Sequence, residues 1–355
     1  MRSLGGVVAL VFLAASVLPG GDVAASTACA GVEPGLASVA TALDEGRWDE
    51  AEHLLQPFEL SHPECGQIVL AKARLRAARG DLAEAERLFS RALTLAPDDA
   101  VAHALFARFQ FLRGLGPQAA YLVNQSLTID PDCVEALVVR GQILAHRGLY
   151  GESRRVLERA VALDPTSPEA HYEIGVWFFR VNLFEQAARQ FESAVTLRPL
   201  WTRALDYLAY CLELLGEADR SEQFNREALK TQPKGGPLFD STLEYNFGRF
   251  LFKIGRLEES RTHLDRAVEQ HPNRRGPRYQ RAKVHQAQGD FESARQDAER
   301  AMALGVSGDY INDVQVYYLL TTIYSRLGET ELARKYAELA RTTKIPDQSE
   351  ALRRR

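Results

Sequence analysis

The chain has 355 residues, 25% of them charged and 46% hydrophobic, with a net charge of -4 at pH 7. That balance excludes a disordered polar chain, which would lack the apolar surface to fold, and a highly basic nucleic-acid coat. The length admits either two or more ordinary domains or one elongated repeat array without a single core.

Residues 1–25 read as a secretory signal. Arg2 precedes an apolar run from Leu4 to Leu18, a Pro-Gly-Gly break follows, and Val23-Ala24-Ala25 supplies small residues suited to cleavage. The run falls short of the roughly 20 apolar residues that a spanning helix needs. No later segment is apolar enough to span a bilayer, so the mature protein is expected to be soluble and periplasmic or secreted. Lipidation of Cys29 is the less favoured alternative, because Ser26-Thr27-Ala28 lacks the Leu-like residue a lipobox has three places before its Cys.

Beyond the signal, Pro63, Pro97, Pro131, Pro165, Pro199 and Pro233 stand 34 residues apart, and Pro272 follows after 39. With each proline numbered position 32 of a unit, position 15 reads Gly46, Gly80, Gly114, Gly148, Asn182, Gly216, Gly255, Gly289 and Gly328. Glycine, and Asn next after it, tolerates the left-handed backbone that ends a helix, so a first helix, A, stops near position 14. Position 20 is Ala or Ser throughout, from Ala51 and Ala85 to Ser153, Ser221, Ser260 and Ala333. Position 27 is Ala or Ser in every unit after the first, which has Phe58. These small residues let a second helix, B, approach the first closely. The proline ends helix B, because it lacks an N–H and disfavours helix in the residue before it.

This pattern resembles the tetratricopeptide repeat, with its period of 34, an L-G pair, a mid-repeat Ala, an aromatic and a closing Pro. The cleanest copy runs from 171 to 200, with Ile174-Gly175, Ala187, Phe191, Ala194 and Pro199 in place. Nine units fit, starting near 32, 66, 100, 134, 168, 202, 241, 275 and 314 within an array of residues 26–345, and a basic tail of 346–355 follows. The first is degenerate, with Pro57 inside its second helix. Five extra residues precede two units, in 234–240 and 305–313, and both insertions fall between repeats. Val306 replaces the eighth closing proline and Thr321 takes a small position, so the C-terminal boundaries are the least defined. The resemblance implies an all-α, right-handed superhelix, an α-solenoid of about nine helical hairpins. It further implies that helix A lines the concave side and helix B faces outward.

Cys29 just precedes helix A of the first unit and Cys65 just follows its helix B, ends that lie side by side in an antiparallel hairpin. A Cys29–Cys65 disulfide is therefore expected in an oxidising compartment. Cys133 and Cys211 fall too far apart to bridge and are expected to be buried or unpaired.

No nucleophile elbow, zinc-protease helix, phosphate loop or dinucleotide glycine turn is present, so an enzyme is disfavoured and no cofactor or metal is expected. His171-Tyr172-Glu173 lacks the Cys pair a deaminase would need. The basic stretch 273–283 and Arg353-Arg354-Arg355 raise nucleic-acid binding, but the slightly acidic chain and its export signal argue against it. A solvated loop or an anionic protein partner explains that stretch more simply.

In the family, position 5 points into the groove. Here it is Tyr172, Tyr245, Tyr279 and Tyr318, with Asp206 in the sixth unit, and positions 9, 12 and 13 add Arg180, Tyr210, Arg249, Phe252, Lys253, Lys283 and Arg326. Arg74, Arg108, Phe111 and Phe179 join them, with Glu135, Glu169, Asp206 and Glu213 on the same face. Such a groove suits an extended peptide or helix with spaced anchors, acidic ones above all. The contrary expectation is that the tyrosines only pack against neighbouring helices. The Lys and Asn that clamp a C-terminal carboxylate in some members, at positions 5 and 9, are absent. The chain is thus read as a non-enzymatic scaffold of the cell envelope or secreted space that binds a protein or peptide. The alternative is a structural assembly factor acting by weak self-association or outer-membrane docking through its convex face or an end repeat.

Overall fold

The computed structural model describes residue 29 and residues 31–231, 243–305 and 311–343. The expected signal, the basic tail, Pro233, the insertion 234–240 and most of 305–313 lie outside the described residues. Among the described residues there are eighteen helices and no strand. They are α1 (Glu33–Asp44), α2 (Trp48–Ser61), α3 (Gly66–Arg79), α4 (Leu82–Leu95), α5 (Ala100–Leu112), α6 (Gly116–Ile129), α7 (Val134–His146), α8 (Tyr150–Leu163) and α9 (Pro168–Arg180). There follow α10 (Phe184–Leu197), α11 (Thr202–Leu215), α12 (Ala218–Thr231), α13 (Leu243–Lys253), α14 (Leu257–Gln270), α15 (Arg275–Gln288), α16 (Phe291–Leu304), α17 (Asp313–Leu327) and α18 (Thr330–Thr342). Odd-numbered helices are the A helices and even-numbered ones the B helices.

The turn between A and B is the same in all nine hairpins. The eight position-15 glycines lie at φ between +72° and +87°, and Asn182 has φ +61°, the one non-glycine with positive φ among the described residues. The N–H one residue later reaches back to the carbonyl of position 11, as in Asp81 to Arg76, Leu183 to Phe178 and Glu329 to Tyr324, each 2.9 Å. This six-to-one bond ends helix A and aims helix B antiparallel to it.

Close packing then holds the pair. The position-20 side chains Ala51, Ala85, Ala119, Ser153, Ala187, Ser221, Ser260 and Ala294 are fully buried. The three serines also donate across the pair to the position-8 carbonyl of helix A: Ser153 to Gly141 at 2.8 Å, Ser221 to Ala209 at 2.8 Å and Ser260 to Gly248 at 2.7 Å. Their hydroxyls are thereby satisfied without widening the contact. A Cβ added to Gly141, Gly175 or Gly248 would stand 2.5 Å from Leu157, 2.8 Å from Phe191 or 2.7 Å from Leu264, all three at position 24. The degenerate first unit keeps the fit by exchange: Phe58 fills the space over Gly35, where a Cβ would lie 2.0 Å from the ring. Pro57 sits inside an unbroken α2.

Each A helix touches the next A helix, and each B helix touches the following A helix; no successive pair of B helices makes comparable contact among the described residues. The closely spaced A helices therefore form the inner, concave wall and the B helices fan out on the convex side. The end unit is stapled by a Cys29–Cys65 disulfide with Cα atoms 5.0 Å apart. A loop of this length contributes about 3–4 kcal/mol by chain entropy, which suits a hairpin stacked on one side only. Cys133 and Cys211 are buried and unbridged. The start of α17, the least defined boundary in the sequence, is set by a capping box in which Asn312 accepts from the Gln315 N–H and the Gln315 side chain accepts from the Asn312 N–H, both at 2.9 Å.

Replacing Gly141 by Ala forces the new methyl into Leu157 and is expected to destabilise the fourth hairpin by about 1–3 kcal/mol. In a double-mutant cycle with Leu157→Ala, read by hydrogen exchange of α7 and α8, the two losses add to less than their sum by about 1 kcal/mol. Strict additivity would show that the two side chains do not define the contact.

Candidate binding groove

The concave wall divides into two stretches of different electrostatic character. In the first five units several of its charged groups answer one another. Arg74 on α3 donates to Asp44 at 2.6 Å, and Arg198, at the end of the fifth unit, donates to Glu169 at 2.5 Å while reaching Asp44 at 3.6 Å. That last contact joins residues of units one and five, so the array curls far enough for its beginning to meet its middle. Burial pushes the Glu169 carboxyl up, but Arg198 and Arg108 outweigh it and hold it below the ordinary value. Glu173 accepts from Gln142 at 2.6 Å.

The middle of the groove is aromatic and covered. Tyr172 is only 2% exposed; its ring lies 4.6 Å from Trp201 and 5.7 Å from Phe191, with Tyr207 edge-on at 5.8 Å. Tyr172 is therefore a packing residue, in contrast to the exposed platform expected from its position, because Trp201 and Tyr207 of the junction and sixth unit close over it. Tyr210 is half-buried, and Arg180 is exposed at the end of α9. Asp206, at the position-5 site of the sixth unit, receives Nδ2 of Asn246 at 3.0 Å from each oxygen. Burial raises its carboxyl to about 6, against the opposing effects of Asn246, Arg249 and Arg203.

In units six to eight, cations outnumber carboxylates. Arg249 forms a forked pair with the buried Glu213 at 2.9 and 2.5 Å and lies 4.6 Å over the Tyr210 ring. Lys253 approaches the same carboxylate at 3.4 Å. Lys283 stands 4.7 Å over Phe252 and 5.8 Å over Tyr279, and no carboxylate pairs with it among the described residues. Burial, then the charge of Arg249, lowers its ammonium pKa. Tyr245, Phe252 and Tyr279 are half-buried here, Tyr318 is 61% exposed on α17, and Arg326 is exposed at that helix's end.

The basic stretch 273–283 is neither a solvated loop nor a surface awaiting anions along most of its length. Arg275 is fully buried, donating to Asp313 at 2.6 Å and to the Ile311 carbonyl at 3.2 Å. Arg278 and Arg281 converge on Asp297, which is 4% exposed. Tertiary ion pairs thus consume three of its arginines and leave Lys283 facing the groove. Sequence patterning could not separate these roles, since the partners lie on later helices.

Among the described residues no group of three or more His, Cys, Asp and Glu side chains is placed to hold a metal, and no helix is long and apolar enough to cross a membrane.

Tetratricopeptide-repeat profiles match residues 36–100, 172–236 and 245–303, and further profiles of the same repeat match 76–136, 141–182 and 278–344. No curated protein sequence matches the chain. Solved structures similar in fold include the chain of the Cut9–Hcn1 hetero-tetramer of APC/C, at 16% identity and TM-score 0.65, covering 86% of this chain and 58% of that one. Pseudomonas aeruginosa PilF matches at 17% identity and TM-score 0.51 over 59% of this chain and 90% of its own. The human IFIT1 dimer with PPP-AAAA matches at 16% and 0.53, over 83% and 68%.

Two measurements probe the groove. Arg198→Glu removes the contact between units one and five and is expected to open the array, seen as a larger radius of gyration in small-angle scattering at unchanged helicity; an unchanged radius would mean the curvature is set by packing alone. Because Asp206 holds its proton more tightly folded than unfolded, its stabilising contribution is present below pH 4 and lost as pH rises through about 6. Asp206→Asn should therefore gain about 1 kcal/mol over the native chain between pH 5 and 7.5, measured as the difference in urea midpoints. Repeat profiles over more than half its length and a succession of paired helices among the described residues make this chain a member of the tetratricopeptide-repeat family, whose arrays are generally protein-interaction scaffolds.

Proposed function

We propose that the protein is an exported, non-enzymatic scaffold that binds an extended peptide or helix of a partner protein in its concave groove. The observation that carries this reading is the partly accessible surface of units six to nine. There, aromatic rings and cations alternate along one wall: Tyr210 with Arg249, Phe252 with Lys283 and Tyr279, then Tyr318. Rings of this kind give a ligand flat apolar contact at small entropic cost, and the cations fix its register. Export rests on the signal-like residues 1–25. It accords with the Cys29–Cys65 bridge, which belongs to an oxidising compartment and occupies the Cys29 sulfur that a lipid would need.

Self-association through the convex face is a second reading, favoured by Tyr121, which is 63% exposed on α6 beside a shallow pocket lined by Phe106, Pro117 and Leu122. Light scattering of the native chain and Tyr121→Ser across a concentration series separates it from a monomeric scaffold.

The groove is tested by comparing partner recovery from envelope extract by the native chain and by Tyr245→Ala, Lys253→Glu, Lys283→Glu, with circular dichroism verifying equal helicity. Recovery should fall about ten-fold or more. Equal recovery would move the binding surface elsewhere on the molecule.

A further inference from the structure

The two stretches of the groove differ in what they leave for a ligand. Along units one to five, Asp44, Arg74, Glu169 and Arg198 form one continuous ion network, and its Arg198–Asp44 link crosses from unit five to unit one. These groups are already neutralised, and Tyr172 beyond them is sealed under Trp201. A charged ligand engaging these four groups would have to break pairs the protein makes with itself.

Units six to eight, by contrast, hold Arg249, Lys253 and Lys283 against two carboxylates of unit six, Glu213 and the buried Asp206, whose oxygens take the Asn246 amide. The Glu213 carboxylate is 4% exposed on its side chain and takes both guanidinium nitrogens and the Lys253 ammonium, and Lys283 makes no ion pair with it. The Lys283 ammonium instead rests on the faces of Phe252 and Tyr279. Ring faces attract a cation but do not neutralise it, and an added carboxylate would accept the ammonium's free N–H groups and balance its charge. Like charge from Arg249 makes the same demand.

We infer that the partner's binding segment is an acidic, extended polypeptide whose carboxylate pairs with Lys283 over the Phe252 and Tyr279 rings, and that its footprint is confined to units six to nine. The inference rests on the groove-binding reading above and adds the ligand's charge and its place. The carboxylate belongs either to an Asp or Glu side chain or to a chain terminus, since both present the same two oxygens.

The chain contains seven lysines, so ¹³C-dimethylation of their amines gives a spectrum in which Lys253 and Lys283 report on the C-terminal stretch of the groove, and Lys72, whose amine pairs with Glu59 of the first unit's helix B, reports on the N-terminal units away from it. The probes are the fifteen-residue peptides (Gly-Ser-Glu)₅, (Gly-Ser-Gln)₅ and (Gly-Ser-Lys)₅, each about 50 Å long when extended and each made with a free or an amidated C-terminus. The expected result is that the glutamate peptide shifts the Lys283 and Lys253 signals, raises the pH at which Lys283 titrates and leaves Lys72 in place. The glutamine and lysine peptides should bind at least about ten-fold more weakly. Retention of binding by the amidated glutamate peptide assigns the side-chain carboxylate. Binding of the glutamine peptide only with a free terminus assigns the terminal one. Lys283→Gln should weaken the glutamate peptide about ten-fold while Lys72→Gln does not. Shifts at Lys72 with none at Lys283 would overturn the footprint, and equal binding of the three compositions in amidated form would overturn the acidic ligand, the latter leaving groove binding intact. If none of the peptides binds at any lysine, the inference fails, and the pull-down variant then decides the groove reading separately.

Discussion

The contact between helix A and helix B of one hairpin governs the molecule. At position 8 of helix A and position 20 of helix B the side chains are Gly, Ala or Ser in nearly every unit, and the position-24 side chain fills the space that remains. So little volume separates the helices that one methyl group would have to displace a Leu or Phe. Proteins interiors of this density transmit shape: once the pair is fixed, the next A helix has one surface on which to dock. Repetition of that step nine times turns a local contact into a curved wall, and it is curvature that converts a row of surface side chains into a groove. The Ser-to-carbonyl bonds at Ser153, Ser221 and Ser260 show how tight the arrangement is, since a hydroxyl fits there only by bonding the backbone it faces.

Local punctuation made the fold legible. A residue at position 15 must adopt left-handed dihedrals, only glycine and asparagine do so cheaply, and the sequence supplies one or the other at each of nine turns. The small residues at position 20 were equally readable as contact points. What spacing could not carry was the compensation of one departure by another. Phe58 breaks the small-residue rule at position 27, and Gly35, twenty-three residues earlier, removes the conflict. Arg275 looked like part of a basic surface; its carboxylate, Asp313, lies one unit further along.

The candidate groove was legible in position but not in accessibility. Tyr172 and Tyr279 share position 5, yet one is buried and the other half-buried, because the neighbours differ. Trp201 and Tyr207 stack around Tyr172, whereas Phe252 and Lys283 leave the Tyr279 ring partly open. A repeat position specifies where a side chain leaves the helix. The residues that surround it in space decide whether it meets solvent, and for Tyr172 these are Trp201 and Tyr207, 29 and 35 positions away in the chain.

The same distinction separates arginines that build the array from cations that remain for a partner. An ion pair between two repeats fixes their relative angle only if both charges are spent on each other; a charge left over adds nothing to that angle and raises the local potential instead. Asp44 with Arg198 and Asp265 with Arg281 belong to the first kind, each joining two different repeats. Lys283 belongs to the second. Its position on two ring faces keeps the ammonium in place without neutralising it, the arrangement on which the acidic ligand proposed above rests. Affinity gained this way does not require the hairpins to move, which agrees with a scaffold whose stiffness comes from the closest helix contacts it contains.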